Sequence, residues 1–122
     1  MPDCDLFELA RQDGISVVTL VNPELMNRLM VTELGDALIS FVEAEEPEKL
    51  LVDFKNVTYC SSEVIGSLIR TWKRVTPGGG VMKLCGMNNG IRDLFRLTRL
   101  DQGLFEIYDT TATAIEHFQQ TE

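Results

Sequence analysis

The sequence predicts a single α/β domain with a mixed, mainly parallel β-sheet of about five strands and about four helices. Short β-type runs alternate with stretches of 3.6-residue apolar periodicity along almost the whole chain, the pattern of strand–helix crossover units. Only at the N-terminal end do two strand-like runs follow each other directly, around Asp13-Gly14, so a hairpin opens the sheet and makes it mixed. The 122 residues, 44% of them hydrophobic, form one domain spanning 1–122 with its core at about 6–118. A chain of this size buries roughly two thirds of its unfolded surface without help from disulfides or a structural metal.

Leu6 to Ala10 and Ile15 to Val21 are the two strands of the hairpin. A loop containing Pro23 leads to a helix from about Asn27 to Glu43, where Met30, Leu34, Leu38, Phe41 and Val42 share one face. The charged, proline-broken run Glu43-Ala44-Glu45-Glu46-Pro47-Glu48 is a solvated connection. Leu50 to Phe54 is an almost continuous apolar run, as expected of a strand covered on both faces. After the turn Lys55-Asn56-Val57-Thr58, a second helix runs from about Ser62 to Arg74 with Ile65, Leu68, Ile69, Trp72 and Val75 inward. Pro77-Gly78-Gly79-Gly80 stops it, and Val81 to Cys85 supplies the next strand. Asn88 or Asn89 caps a third helix through Arg92 to Arg99, with Ile91, Leu94, Phe95 and Thr98 repeating at helical spacing. Phe105 to Tyr108 is a last short strand, and Thr111 or Thr113 opens a final helix carrying Ala114, Ile115 and Phe118. The predicted order is therefore β β α β α β α β α.

Composition excludes several function classes. With 19 acidic against 11 basic residues, the net charge of −8 repels nucleic-acid phosphates and anionic lipid. No apolar run is long enough to span a bilayer. Met1-Pro2-Asp3-Cys4-Asp5 is acidic where a secretion signal would be basic and then apolar. The expectation is a cytoplasmic protein with no nucleic-acid partner and no stable membrane association. Cys4, Cys60 and Cys85 are odd in number and widely spaced, so they form neither a disulfide framework nor a zinc site. Cys85 lies in an alternating run and is read as a small apolar core residue. His117, the only histidine, falls in the last helical pattern as a solvated residue.

Gly78, Gly79 and Gly80 follow a helix and open a strand, the reverse of a phosphate-binding loop, and no Gly-Lys-Ser or Gly-Lys-Thr accompanies them. Asp53, Asp93 and Asp101 lie near element ends; Asp53 is read as capping a turn and Asp93 as a first-turn helix acid. No cofactor and no catalytic constellation is expected. What remains is Tyr59-Cys60-Ser61-Ser62-Glu63-Val64-Ile65-Gly66, where Ser61 or Ser62 caps the second helix and Glu63 adds charge to its first turn. A serine there is also a good phosphoacceptor, because the helix N-terminus tolerates the added charge while the docked surface changes strongly.

From Leu6 to Phe118 the chain resembles the STAS domain of anti-sigma factor antagonists of the sporulation type, related to the domain at the end of sulfate transporters. The resemblance lies in Leu51-Val52-Asp53-Phe54-Lys55-Asn56-Val57-Thr58-Tyr59, in Ile65-Gly66, in Gly79 to Leu84, and in Leu94 to Asp101 with Leu104-Phe105-Glu106-Ile107. It implies a non-enzymatic switch module that binds an anti-sigma factor which is also a serine kinase of the same pathway. Phosphorylation at the second helix would end the interaction. Counted without a gap from Asp53, the family's Asp-Ser-Ser-Gly-Leu-Gly falls on Ser61-Ser62-Glu63-Val64-Ile65-Gly66. Glu63 then stands at the phosphoacceptor position, and Asn27 stands where the family has an acidic neighbour. Sliding by one residue restores serines at both serine positions, which keeps Ser62 and Ser61 as candidate phosphoacceptors. Glu63 is open to two readings, a permanent partial substitute for phosphoserine and an ordinary first-turn acid. The implied site is Ser61, Ser62, Glu63 and Asn27. The alternative from a different class is a scaffold or small-ligand module, holding a nucleotide or lipid headgroup at the same helix N-terminus.

Overall fold

In the computed structural model of the protein, which describes residues 6–101 and 103–120, Asp13 and Gly14 both take positive φ (55° and 79°). Two such residues make the turn that matches the twist of paired strands, and β1 (Phe7–Gln12) and β2 (Ile15–Leu20) run antiparallel from the pair Gln12–Ile15 outward. Cys4 and the acidic N-terminal stretch lie outside the described residues.

The helix α1 (Arg28–Glu45) starts at Asn27, whose Oδ1 accepts from the N–H groups of Leu29 and Met30 (2.9 and 3.2 Å). It ends at Glu46, which turns left-handed (φ 45°) and returns its N–H to the Val42 carbonyl, so the helix outlasts the predicted end at Glu43. The central strand β4 (Lys49–Asp53) lies parallel between β2 and β6 (Val81–Cys85), and β7 (Glu106–Tyr108) closes the sheet in the order β1-β2-β4-β6-β7. The predicted mixed sheet of five strands and four helices is thus the observed one. A second, two-stranded sheet was not foreseen: β3 (Glu24–Leu25) pairs in parallel with β5 (Tyr59–Cys60), which the sequence reading left as loop. Strands of two residues carry no period.

Helix α2 (Ser62–Val75) passes through a short 3-10 turn at Thr76–Gly78 and stops at Gly79 (φ 87°). Helix α3 (Asn89–Leu97) is capped by Asn88 Oδ1 on the Ile91 N–H (2.9 Å), one of the two caps expected, and it ends earlier than predicted. Asp93 therefore sits past the first turn, paired with Arg96, while Thr98 turns its hydroxyl back onto the Leu94 and Phe95 carbonyls. Helix α4 (Thr111–Gln120) ends the described chain.

Two apolar clusters flank the sheet. The larger joins α1, α2 and α3 to Val18, Leu20, Leu50, Val52, Met82 and Leu84, with Phe54, Phe95 and Phe105 meeting edge to face at 6.5 and 6.0 Å. On the opposite face, α4 lays Ala114, Ile115 and Phe118 on Ile15, Val17, Leu51 and Cys85. The inner strands serve both layers because their residues alternate, whereas the edge strand β1 buries only Phe7.

Two charges are buried among these side chains. Asp53, 1% exposed at the end of β4, accepts from the Lys55 N–H at Oδ1 and from the Thr111 hydroxyl at Oδ2, both at 2.9 Å. It caps a turn as the sequence indicated, and it also pins α4. Gly86 (φ 75°) lies against it: a Cβ there would run into Asp53 Oδ1 and stand 2.9 Å from Lys55 N. Lys83, 3% exposed, pairs with Glu106 and reaches the Tyr108 hydroxyl (3.4 Å), its Nζ within 5.4 Å of the Tyr108 ring centroid and 5.3 Å of Phe118. His117 stacks on Tyr108 at 4.5 Å and is half-buried, not solvated as its position near the end of a helical pattern implied.

Gly86→Ala is expected to cost ~2–4 kcal/mol in urea unfolding, adding a backbone collision to left-handed strain. Gly79→Ala, also at positive φ but with nothing within 4 Å of its Cβ position, is expected to lose only ~1–2 kcal/mol. Hydrogen bonds from Lys83 and Tyr108 hold the Glu106 carboxyl below its ordinary range. A carboxyl so lowered contributes stability above the unfolded value of about 4.3 and loses it as pH falls through the folded value. Glu106→Gln should therefore lower the melting temperature at pH 7, with the gap to wild type closing below about pH 4; solvent exposure of Glu106 keeps the effect small.

Candidate functional site

The short β3–β5 ladder sets where α2 begins. Thr58 and Tyr59 both donate their N–H groups to the Pro23 carbonyl (2.7 and 3.1 Å), and Ser61 donates to the Leu25 carbonyl (2.9 Å). Asn88 ties the same segment to α3, its Nδ2 donating to the Thr58 carbonyl at 2.8 Å. Held on both sides, the chain leaves β5 extended at Ser61 (φ −83°, ψ 163°) and turns into helix at Ser62.

Ser61 thus has the backbone of an N-cap but not its side-chain bond. Its carbonyl accepts from Val64 (3.1 Å), while Oγ is buried with no hydrogen-bond partner among the described residues. Ser62 and Glu63 occupy the first turn and are exposed. Their N–H groups have no side-chain acceptor among the described residues, so the positive end of the helix dipole faces outward.

The site brings together all the residues singled out in sequence. Asn27 caps α1 as Ser61 begins α2, and the two first turns stand side by side, joined by an ion pair from Arg28 Nε to Glu63 Oε2 at 3.2 Å. Both partners are exposed, at 87% and 48% of the side chain, so the pair adds roughly 0–1 kcal/mol to stability. Its local effect is larger than its energy. The Glu63 charge is answered by a guanidinium, so the surface is less negative than the count of acids suggests.

Sequence reasoning missed Arg28 and an apolar rim. Met26, Leu29 and Tyr59 are 56%, 68% and 62% exposed on the segments that carry Asn27 and Ser61. The signal for Leu29 was present, since it falls outside the Leu34–Leu38–Phe41 face of α1. Beyond Tyr59 an open groove of about 550 Å³ runs between Thr58–Cys60 and Asn88–Ile91, with Leu94 at its side. Cys60 lines it as a neutral thiol, its pKa pushed up to about 11 by burial. Cys85 is still less acidic, at about 12, through burial and then the Asp53 charge. Neither cysteine is an activated nucleophile.

The fold has close counterparts among solved structures. Over 93% of its length the chain superposes on an anti-sigma factor antagonist from Mycobacterium paratuberculosis with a TM-score of 0.80 and 24% identity, covering 92% of that chain. A variant of RsbS from Moorella thermoacetica, with glutamate in place of a serine, matches with a TM-score of 0.76 and 13% identity, covering 94% of this chain and 96% of that one. The Bacillus cell-fate determinant SpoIIAA in its phosphorylated form gives a TM-score of 0.68 and 16% identity, covering 92% and 98%. These likenesses establish a shared fold. The sequence itself matches the STAS domain family over residues 7–114, and the chain belongs to that family.

Proposed function

We propose that this STAS domain acts as a protein-docking module of the anti-sigma factor antagonist type, binding an anti-sigma factor or related serine kinase and having no catalytic activity of its own. The observation that carries the reading is the juxtaposition of two helix starts on a rigid sheet, with Ser62 and Glu63 exposed inside a rim of Met26, Leu29 and Tyr59. Large apolar side chains left in water beside a charged, structured helix start are what a partner surface buries. Support also comes from the described residues having no helix long and apolar enough to cross a membrane, which suits work in the cytoplasm.

The ungapped count places Glu63 at the family's phosphoacceptor, and the Arg28–Glu63 pair supports a fixed surface instead of a serine switch. A glutamate carries about half the charge of a phosphoserine. Arg28 offsets even that, so partners that read the bare serine form remain compatible with this surface.

The test uses a kinase-type anti-sigma factor encoded in the same genome, with ATP and magnesium, and reads affinity by calorimetry and modification by intact mass. Saturable binding without added phosphate is expected. Tyr59→Ala should weaken binding by at least about tenfold. Ser61→Ala is expected to leave the melting temperature within about a degree of wild type, because its Oγ makes no bond to lose, and so serves as a folding-neutral neighbour. Stoichiometric phosphate on Ser61 or Ser62 would contradict the fixed surface. A thermal shift with nucleotide and no partner binding would favour the small-ligand reading.

A further inference from the structure

The Asp53 carboxylate is shared by two segments far apart in sequence, the turn that follows β4 and the start of α4. Oδ2 takes the hydroxyl of Thr111, the first residue of α4 on one face. Oδ1 takes the N–H of Lys55, the first residue of the turn that leads to the docking surface. The Thr111 hydroxyl donates to Asp53, and the Cys85 thiol lies 3.8 Å from the Thr111 oxygen and also neighbours the Asp53 carboxylate. This leaves the Thr111 hydroxyl fully committed and the carboxylate oriented.

Between Lys55 and α2 the segment is anchored at several further points. Phe54 donates to the Cys85 carbonyl and Val57 to the Phe54 carbonyl (2.8 and 2.9 Å). The Thr58 carbonyl is held by Asn88, the Thr58 and Tyr59 N–H groups by Pro23, and the Ser61 N–H by Leu25. A buried carboxylate that loses one donor must rotate or admit water, because an undersatisfied charge is not stable in an apolar site. Gly86 packs against Oδ1 and Lys55, so rotation of the carboxylate disturbs the turn directly.

We propose that Thr111 is a positioning residue of the docking surface: through Asp53 it holds the Lys55–Ser61 segment, and with it Tyr59 and the start of α2, in the conformation a partner meets. The back-face helix α4 and the partner-facing helix start are thereby coupled through one carboxylate, a shared element that both sides bias. The functional meaning rests on the docking reading above; the coupling itself does not.

Amide hydrogen exchange on the isolated chain tests it. Thr111→Val keeps the shape and removes the hydroxyl, and exchange at Lys55 to Ser61 is expected to rise about 5–30-fold, beyond any rise in β1 and β2. Thr111→Ser restores the hydroxyl and should return those amides to wild-type rates. Thr111→Ala, with a better helix former at the start of α4, gives the same comparison should the valine variant fail to fold. An increase confined to α4, or spread evenly over the whole sheet, would overturn the proposal, as would a serine variant that exchanges like valine. No partner is needed, so failure of the docking reading would leave this result intact. If docking holds, Thr111→Val should also weaken partner binding while Thr111→Ser does not.

Discussion

Asp53 is a full negative charge placed where almost no water reaches it, and much of the architecture satisfies it. A buried carboxylate without donors would cost several kcal/mol. Here a backbone N–H and a hydroxyl each meet one oxygen, one donor from the turn two residues on and the other from the first residue of α4. The carboxylate therefore sits at a crossing point. It ends the central strand, starts the turn toward α2 and fixes the first residue of α4, and Gly86, just past the end of the neighbouring strand β6, leaves it room.

What this crossing point holds up is a surface. The turn after Asp53 feeds a two-residue ladder, and the ladder delivers Ser61 beside Asn27, so that two helix starts share one pole of the molecule. They are finished differently. Asn27 closes the N-terminus of α1 with two hydrogen bonds, whereas Ser61 leaves that of α2 open and its own hydroxyl without a bond. An open helix start, one exposed ion pair and three exposed apolar side chains make a readable patch on a scaffold whose interior is closely packed. The opposite face carries a separate charge, Lys83, enclosed by Glu106, Tyr108 and Phe118, which anchors α4.

The order of the main elements was legible because it is written in period: alternating residues for the sheet, three-and-four spacing for the helices, and Asp13-Gly14 for the turn between β1 and β2. Asp53 was legible as a turn cap because its donor, Lys55, lies two residues away. Its second donor was not, since Thr111 is 58 residues distant and nothing local marks it. The Arg28–Glu63 pair and the β3–β5 ladder were hidden for the same reason. Two helix ends shifted: α1 runs on until the Glu46 backbone closes it in the left-handed region, and α3 stops at Leu97. Ser61, Ser62, Glu63 and Asn27 were found through the family resemblance and converge in space. Of the apolar rim, only Leu29 carried a signal, its place outside the buried face of α1; Met26 and Tyr59 lie in segments with no period to mark them.

The central claim is that partners meet this domain at the shared pole of α1 and α2. Backbone amide chemical-shift mapping, with the isotope-labelled domain titrated by the anti-sigma factor, tests it most directly. The account requires the largest perturbations at residues 26–29 and 58–64, with Asp53 and Thr111 as weaker, coupled responders. Perturbations centred instead on the outer edge of β1 or on the exposed side of α4, with the α2 start silent, would contradict it.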